Sequence, residues 1–363
     1  NIITREGFRR RLNDLRVGVG LENGTVSPGI NWTHNDAKGP LTYNVSGSVF
    51  RGQRKDESSS LTRDEDVATG TTLRQQIESA FSDSRRTGVN LSGRLAWRLS
   101  EGGDSIALMP TLFHSVADNL RTFSLLQPIG SAAPLYDSGD ARTDSAFTTG
   151  RLNLMWRQRL GGSRLELNGG LGAWRARNDT QRQEFTAAGG STPVRSIVDA
   201  SRTRQQSVNL NGKLSTLLGG PRPGAAPGAA GPGGATPGEH SLVTGLELEA
   251  QRRTETRSTL QNGTPLLTDF GDNLQASSTR LALYAQDEWS VNPQWAAHAG
   301  LRWEGIATRG DSADGSARPE NRSSVATPLL HAVWKPDPKG RDQVRLSLTR
   351  SYKSPDLGNL MAR

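Results

Sequence analysis

Residues 279–306, TRLALYAQDEWSVNPQWAAHAGLRWEGI, constrain this chain more than any other stretch. Two alternating apolar/polar runs meet at a tight Asn292-Pro293-Gln294 turn. The first run places Leu281, Leu283, Ala285 and Trp289 on one face and Arg280, Tyr284, Gln286 and Glu288 on the other. The second places Trp295, Ala297, Ala299, Leu301 and Trp303 against His298, Arg302 and Glu304. A period of two means strands, because successive side chains point to opposite faces. Trp295 and Trp303 end the apolar stripe, roughly 26 Å apart at ~3.3 Å per residue. A tilt of about 40° makes that about 20 Å of height, close to the ~25 Å apolar band between the aromatic girdles of a membrane barrel.

The pattern recurs along the chain. Leu15, Val17, Val19 and Leu21 share a face, and a weaker strand follows at about 25–34 with Ile30 and Trp32. Leu41, Tyr43, Val45 and Val49 oppose Thr42, Asn44, Ser46 and Ser48; Val89, Leu91, Leu95, Trp97 and Leu99 oppose Asn90, Ser92, Arg94 and Arg98. Further strands are expected around Ile106–Leu112, Leu152–Trp156, Leu165–Ala173, Val208–Leu214, Leu242–Ala250, 324–335 and Val344–Leu348, thirteen in all. Their connections alternate in length. Turns near 37–39, 101–104, 161–163, 292–294 and 337–340 are short and rich in Gly, Pro, Asp and Asn. The intervening stretches, about 53–87, 117–145, 177–204, 254–277 and 308–322, are long and polar and read as loops. Short turns on one side and long loops on the other belong to an outer-membrane barrel. A soluble sandwich also alternates, but its strands average about five to six residues and nothing makes every second connection long. The fold class expected is all-β: a transmembrane antiparallel β-barrel, incomplete in this chain.

Composition agrees. Only 33% of the 363 residues are hydrophobic, and no apolar run approaches the ~18 residues of a membrane helix. A barrel tolerates this because only alternate strand residues meet lipid. With no cysteine, disulfides and thiolate metal sites are excluded. The net charge is +8, yet only six of the 44 basic residues are lysine, and the arginines are scattered with no aromatic stacking platform. Nucleic-acid binding is therefore not expected. Residues 218–238, LGGPRPGAAPGAAGPGGATPG, fall where a short turn is expected. This Pro/Gly/Ala low-complexity insertion cannot bury a core. The first residues carry no basic and apolar leader pattern, so the sequence reads as a mature or excised segment, with further strands expected beyond Arg363 to close the sheet.

Three stretches resemble one family. The start, Asn1-Ile2-Ile3-Thr4-Arg5, resembles the end of the plug domain of TonB-dependent outer-membrane receptors. Tyr284-Ala285-Gln286-Asp287-Glu288-Trp289 with Gly300-Leu301-Arg302-Trp303-Glu304 resembles that family's most recognisable barrel hairpin. RSYKSPDLGNL at 350–360 resembles a family segment of an aromatic, a basic residue, Ala-Pro and Asn-Leu, with Ser354 and Asp356 as mild departures. The resemblance implies residues 1–7 as the plug–barrel junction and 8–363 as the N-terminal part of a barrel, about 13 of about 22 strands around a plug. It implies energy-coupled import of a scarce substrate, typically a ferric siderophore. The partners it implies are TonB, with ExbB and ExbD, acting through an N-terminal region outside this sequence. It places the chain in the outer membrane of a Gram-negative bacterium, among outer-membrane lipid and lipopolysaccharide. A passive diffusion channel and a surface adhesin without transport are the alternatives.

No catalytic constellation, cofactor or metal site is expected. The five histidines are dispersed, and neither HExxH spacing nor a GxSxG elbow occurs. Asp311–Gly315 lacks the spacing and closing Glu of a calcium loop. His114, near the expected outer end of its strand, could ligate haem iron, but a single imidazole reads more simply as a hydrogen-bonding residue. Arg121, Arg142, Arg195, Arg202 and Arg204 fall in expected outer loops. They are the candidates for an anionic substrate, because guanidinium groups bind anionic oxygens bidentately. Arg94, Arg98, Arg151, Arg157, Glu247, Glu249, Arg302 and Glu304 are expected to face the lumen and hold a plug. Trp97, Trp156, Trp289, Trp295, Trp303 and Trp334 are expected at the membrane interfaces.

Overall fold

A computed structural model of the chain describes residues 11–219, 238–266, 273–312, 320–338, 340 and 342–350. The junction at 1–7, most of the insertion, residues 313–315 and the 351–360 segment lie outside the described residues.

Alternation that leaves one face oily and the other polar cannot satisfy a strand alone, so neighbours pair into a single antiparallel sheet. Its strands are β1 (Leu12–Glu22), β2 (Thr25–Lys38), β3 (Leu41–Glu65), β4 (Thr72–Arg98), β5 (Ser105–Ile129), β6 (Ser138–Leu160) and β7 (Ser163–Phe185). Then come β8 (Arg195–Leu218), β9 (His240–Gln261), β10 (Thr264–Pro265), β11 (Asn273–Ser290), β12 (Trp295–Ser312), β13 (Glu320–Trp334) and β14 (Val344–Thr349). Each pairs with the next in sequence order, except that two-residue β10 folds back on β9 and β11 pairs with β9 directly. The edges β1 and β14 do not pair with each other among the described residues, so the sheet is open. The only helical element there is a 3₁₀ turn at Ala187–Gly189. All thirteen expected strands are present. The bend between β1 and β2 is Asn23-Gly24, both at positive φ (46° and 71°), and Asn262-Gly263 (51° and 79°) does the same between β9 and β10. Such left-handed pairs match the twist of a hairpin, and Asn-Gly adopts them at low cost.

The long polar connections are a correction. Strand β3 runs to Glu65 and β4 starts at Thr72, so most of 53–87 is ladder rather than loop, and the same holds for 117–145 and 177–204. The physical reason is visible in the segment 54–65, RKDESSSLTRDE. Here polar residues occupy both faces, so the apolar half of the alternation disappears while the backbone ladder continues. At 27 residues β4 spans about 90 Å, far more than the ~25 Å apolar band requires.

Among the described residues there is almost no interior. The buried hydrophobic residues are Ala80, Ala107, Phe123, Ala276, Ala282, Ala296 and Ile306. Large apolar side chains stand exposed in rows: Leu283 is 49% exposed, Leu301 56% and Leu346 73%. A soluble sandwich would pack these inward. Trp295 and Trp334 are register partners on this apolar face with rings stacked at 5.9 Å, and Trp97 and Trp156 both oppose Ile106. These four lie beside the short turns, and Trp303 lies toward the other end of its stripe.

Candidate functional site

The polar face carries the charged chemistry. Register partners share a face, so the rows can be followed across strands. One row runs Asn153, Gly170, Asn209, Glu249, Arg280 and another Arg98, Ser105, Arg157, Glu166. Counting by twos from these rows puts Arg94, Arg98, Arg151, Arg157, Glu247, Glu249, Arg302 and Glu304 on this face together.

Four of them join Arg280 in one network on β9, β11 and β12. The Arg302 Nη2 donates to Glu247 Oε2 at 2.7 Å and to Glu304 Oε2 at 3.0 Å. The Arg280 Nη2 donates to Glu249 Oε2 at 2.9 Å, and its Nη1 reaches Glu304 Oε2 at 3.4 Å. Glu304 is 8% exposed and accepts from both arginines, which is what makes its burial tolerable. Arg302 also lies 6.0 Å from the Tyr284 ring, which sits over Gly245; a Cβ there would stand 2.4 Å from the ring. Beside the network is a recess of about 380 Å³, lined by Arg151, Asn153, Ser207, Asn209, Glu247 and Arg280. Arg157 faces Glu166 at 3.6 Å, whereas Arg94, Arg98 and Arg151 have no carboxylate partner among the described residues.

The five candidate substrate arginines are all strand residues rather than loop residues, a second consequence of the long ladders. They separate by face. Arg121 and Arg195 are on the polar face, in a cluster at the strand ends remote from the short turns. Arg121 Nη2 donates to Glu78 Oε1 at 2.6 Å, and the Tyr136 hydroxyl donates to Glu78 Oε2 at 3.0 Å. Arg195 grips Glu184 with Nε at 2.5 Å and Nη2 at 2.8 Å, while Arg182 Nε donates to the same carboxylate at 2.6 Å. Arg182 also stacks over Phe123 at 4.3 Å. Glu184 is fully buried, some 55 Å above the short-turn end at ~3.3 Å per residue and the usual tilt, well beyond the apolar band. Burial alone would raise its pKa; the hydrogen bonds from Arg195 and Arg182 outweigh that and hold the carboxyl below its ordinary value. Arg142, Arg202 and Arg204 are on the apolar face instead: Arg142 opposes Leu120, and the two others follow Val208 by steps of two. His114 is on that face too, between Leu112 and Val116, with Nδ1 2.9 Å from the Thr148 hydroxyl.

The sequence reading overlooked an aromatic arc on the polar face. Phe50 and Phe113 stack at 6.4 Å, Phe113 and Phe147 lie 6.1 Å apart, and Phe147 and Trp174 6.1 Å apart. Arg86 lies over Phe113 and Arg253 over Trp174, both at 5.6 Å. Gly88 leaves room for Phe50, whose ring a Cβ would meet at 2.5 Å. The available signal was phase: these aromatics fall on the polar parity of their strands.

Comparison with known proteins gives the following. A family model described as TonB dependent receptor-like, beta-barrel, matches residues 110–363. No curated protein matches. Among solved structures, the siderophore receptor PiuA from Acinetobacter baumannii is similar at 10% identity and a TM-score of 0.46, covering 91% of this chain and 48% of that one. The ferric citrate transporter FecA in the unliganded form aligns at 11% identity and a TM-score of 0.29, covering 85% and 53%. The ferric yersiniabactin uptake receptor FyuA from Yersinia pestis aligns at 7% identity and a TM-score of 0.26, covering 93% and 71%. The chain thus spans about half the length of PiuA and FecA.

Proposed function

The chain belongs to the TonB-dependent receptor β-barrel family, and from that premise we propose that it forms part of the wall of an outer-membrane importer for a scarce anionic substrate, a ferric siderophore being the best fit. The supporting observation is one sheet with two chemistries: exposed leucines and tryptophans on one side, ion-paired arginines and glutamates on the other. The apolar side meets hydrocarbon with its backbone groups satisfied within the ladder, as a membrane wall requires. The polar side encloses a plug. Arg94, Arg98 and Arg151 offer it cations not neutralised by the wall, and the aromatic arc offers it an apolar shelf. Tryptophans 97, 156, 289, 295, 303 and 334 sit at the two interfaces.

Of the five candidate arginines, Arg121 and Arg195 remain in position to meet a substrate entering the lumen. Each is already bonded to a carboxylate, so an anionic ligand must compete for it. Energy for release comes from TonB with ExbB and ExbD. The test is iron-limited growth of a strain lacking the receptor, restored by the gene, with a panel of ferric siderophores as the iron source. Restoration by a specific siderophore, abolished by a protonophore and by loss of TonB, is expected. Uptake that survives both treatments would make the barrel a passive channel.

A further inference from the structure

Three of the arginines first placed near substrate stand on the lipid side of the wall, and two of them belong to a larger basic patch there. On β7 the apolar stripe Leu171, Ala173 gives way to Arg175 and Arg177. On β8 Leu210 and Val208 give way, past Gln206, to Arg204 and Arg202. On β9 Leu248 and Ala250 give way to Arg252. All five arginines are exposed. The register sets like charges opposite one another twice in succession, Arg175 against Arg204 and Arg177 against Arg202, with Gln206 opposite Arg252. Directly opposed side chains sit about 5 Å apart at Cβ, and like charges there destabilise the pair. Little in the wall relieves this. Arg177 pairs with Asp179, Arg175 Nε reaches only the Thr148 hydroxyl at 3.5 Å, and Arg252 donates to the Gln275 amide oxygen at 2.9 Å. Arg202 and Arg204 have no carboxylate partner among the described residues. The nearest acids on the same face, Asp118, Asp144 and Asp179, form a row across β5, β6 and β7 that bounds the patch on one side.

Height identifies the counterion. From Leu165, near the short-turn end of its apolar stripe, to Arg175 is ten residues, about 33 Å along the strand and about 25 Å vertically at the usual tilt, the height of the apolar band. Arg175 and its register partner Arg204 therefore stand at the edge of that band, and Arg202 about 5 Å beyond it. A headgroup layer occupies roughly the first 5–8 Å beyond each edge of the hydrocarbon. The patch is remote from the short Gly161-Gly162 turn, so it faces the leaflet on the long-strand side, the outer one.

We propose that Arg175, Arg202, Arg204 and Arg252 form a docking surface for the phosphate groups of the outer-leaflet glycolipid, the lipid A of lipopolysaccharide. This rests on the outer-membrane reading above. Phosphates that bridge the opposed guanidinium pairs replace repulsion with charge-assisted, bidentate bonds. The acyl chains continue down the leucine stripes of β7 to β9.

The experiment takes the receptor purified from outer membranes, placed in nanodiscs of neutral lipid, and measures retention of bisphosphorylated against dephosphorylated lipid A by native mass spectrometry. Wild type is expected to prefer the phosphorylated form roughly a hundredfold, about a factor of five for each of three arginines. The triple variant Arg175→Gln, Arg202→Gln, Arg204→Gln is expected to lose that preference, and the three Lys replacements to keep most of it. Equal retention of both lipids by wild type overturns the proposal without any variant. So does an unchanged preference in a triple variant that keeps its heat-modifiable fold, or displacement of the lipid by millimolar inorganic phosphate, which would mark a free-anion site. Recovery of the receptor in the outer-membrane fraction tests the membrane reading separately, so the two can fail independently.

Discussion

Glu184 shows what one side chain does in a wall with no interior. It is buried only because Arg195 and Arg182 together supply three donors. Removing its charge leaves two guanidiniums at a closed site, so Glu184→Gln is expected to loosen the outer ends of β7 and β8 by about 3 kcal/mol, read as faster amide exchange there. Its lowered pKa also fixes a sign. Stability from this carboxylate is fully present above its ordinary value of 4.5 and is lost as pH falls through the lower folded value. Protection from exchange at these strand ends, taken relative to the intrinsic amide rate, is therefore expected to be flat from neutral pH to about 5 and to fall only in stronger acid; a fall beginning near pH 6 would implicate another group. Gly245 is the second informative residue. A Cβ there would stand 2.4 Å from the Tyr284 ring and 2.6 Å from the Gly212 carbonyl oxygen. Gly245→Ala is expected to cost about 1–3 kcal/mol and displace Tyr284 from Arg302, measured as a lower unfolding midpoint in detergent.

At the scale of the strand, legibility followed the solvent. Where hydrocarbon meets one face, as in Leu281–Trp289 and Trp295–Trp303, alternation is forced and the sequence shows it plainly. Where water meets both faces, as in 54–65 or 177–184, the ladder leaves no apolar trace, so these strand extensions read as loops. That the charged residues share one polar face was legible because they keep the strands' parity with Arg302 and Glu304. The outward turn of Arg142, Arg202 and Arg204 was hidden by the same error, since parity has no meaning in a presumed loop. The aromatic arc was missed because aromatics were sought on the lipid side alone. If the extensions are ladders independent of the membrane segment, shortening β3 and β4 together by removing 57–81 and closing them with Asn-Gly leaves membrane insertion intact. Heat-modifiable migration of the shortened protein is the expected outcome; loss of outer-membrane recovery would show that the extensions are needed to build the wall.

For the whole molecule, the claim that matters is that the exposed leucine face is solvated by hydrocarbon. A cation placed there should be costly, by roughly 2–4 kcal/mol near the midplane. Leu301→Arg is therefore expected to lower stability in bilayers by that amount, whereas Thr327→Arg, one strand over on the polar face, is expected to cost far less in the same refolding titration. The most direct measurement uses the absence of cysteine from this sequence. Single thiols introduced along 280–288 and 296–304, spin-labelled in native outer membranes, report exposure to oxygen, which enriches in lipid, against a water-soluble nickel chelate. The expected result is strict alternation: positions 281, 283, 301 and 303 relaxed by oxygen, and positions 280, 282, 302 and 304 inaccessible to it. Uniform accessibility along both strands, or the opposite parity, would contradict the account.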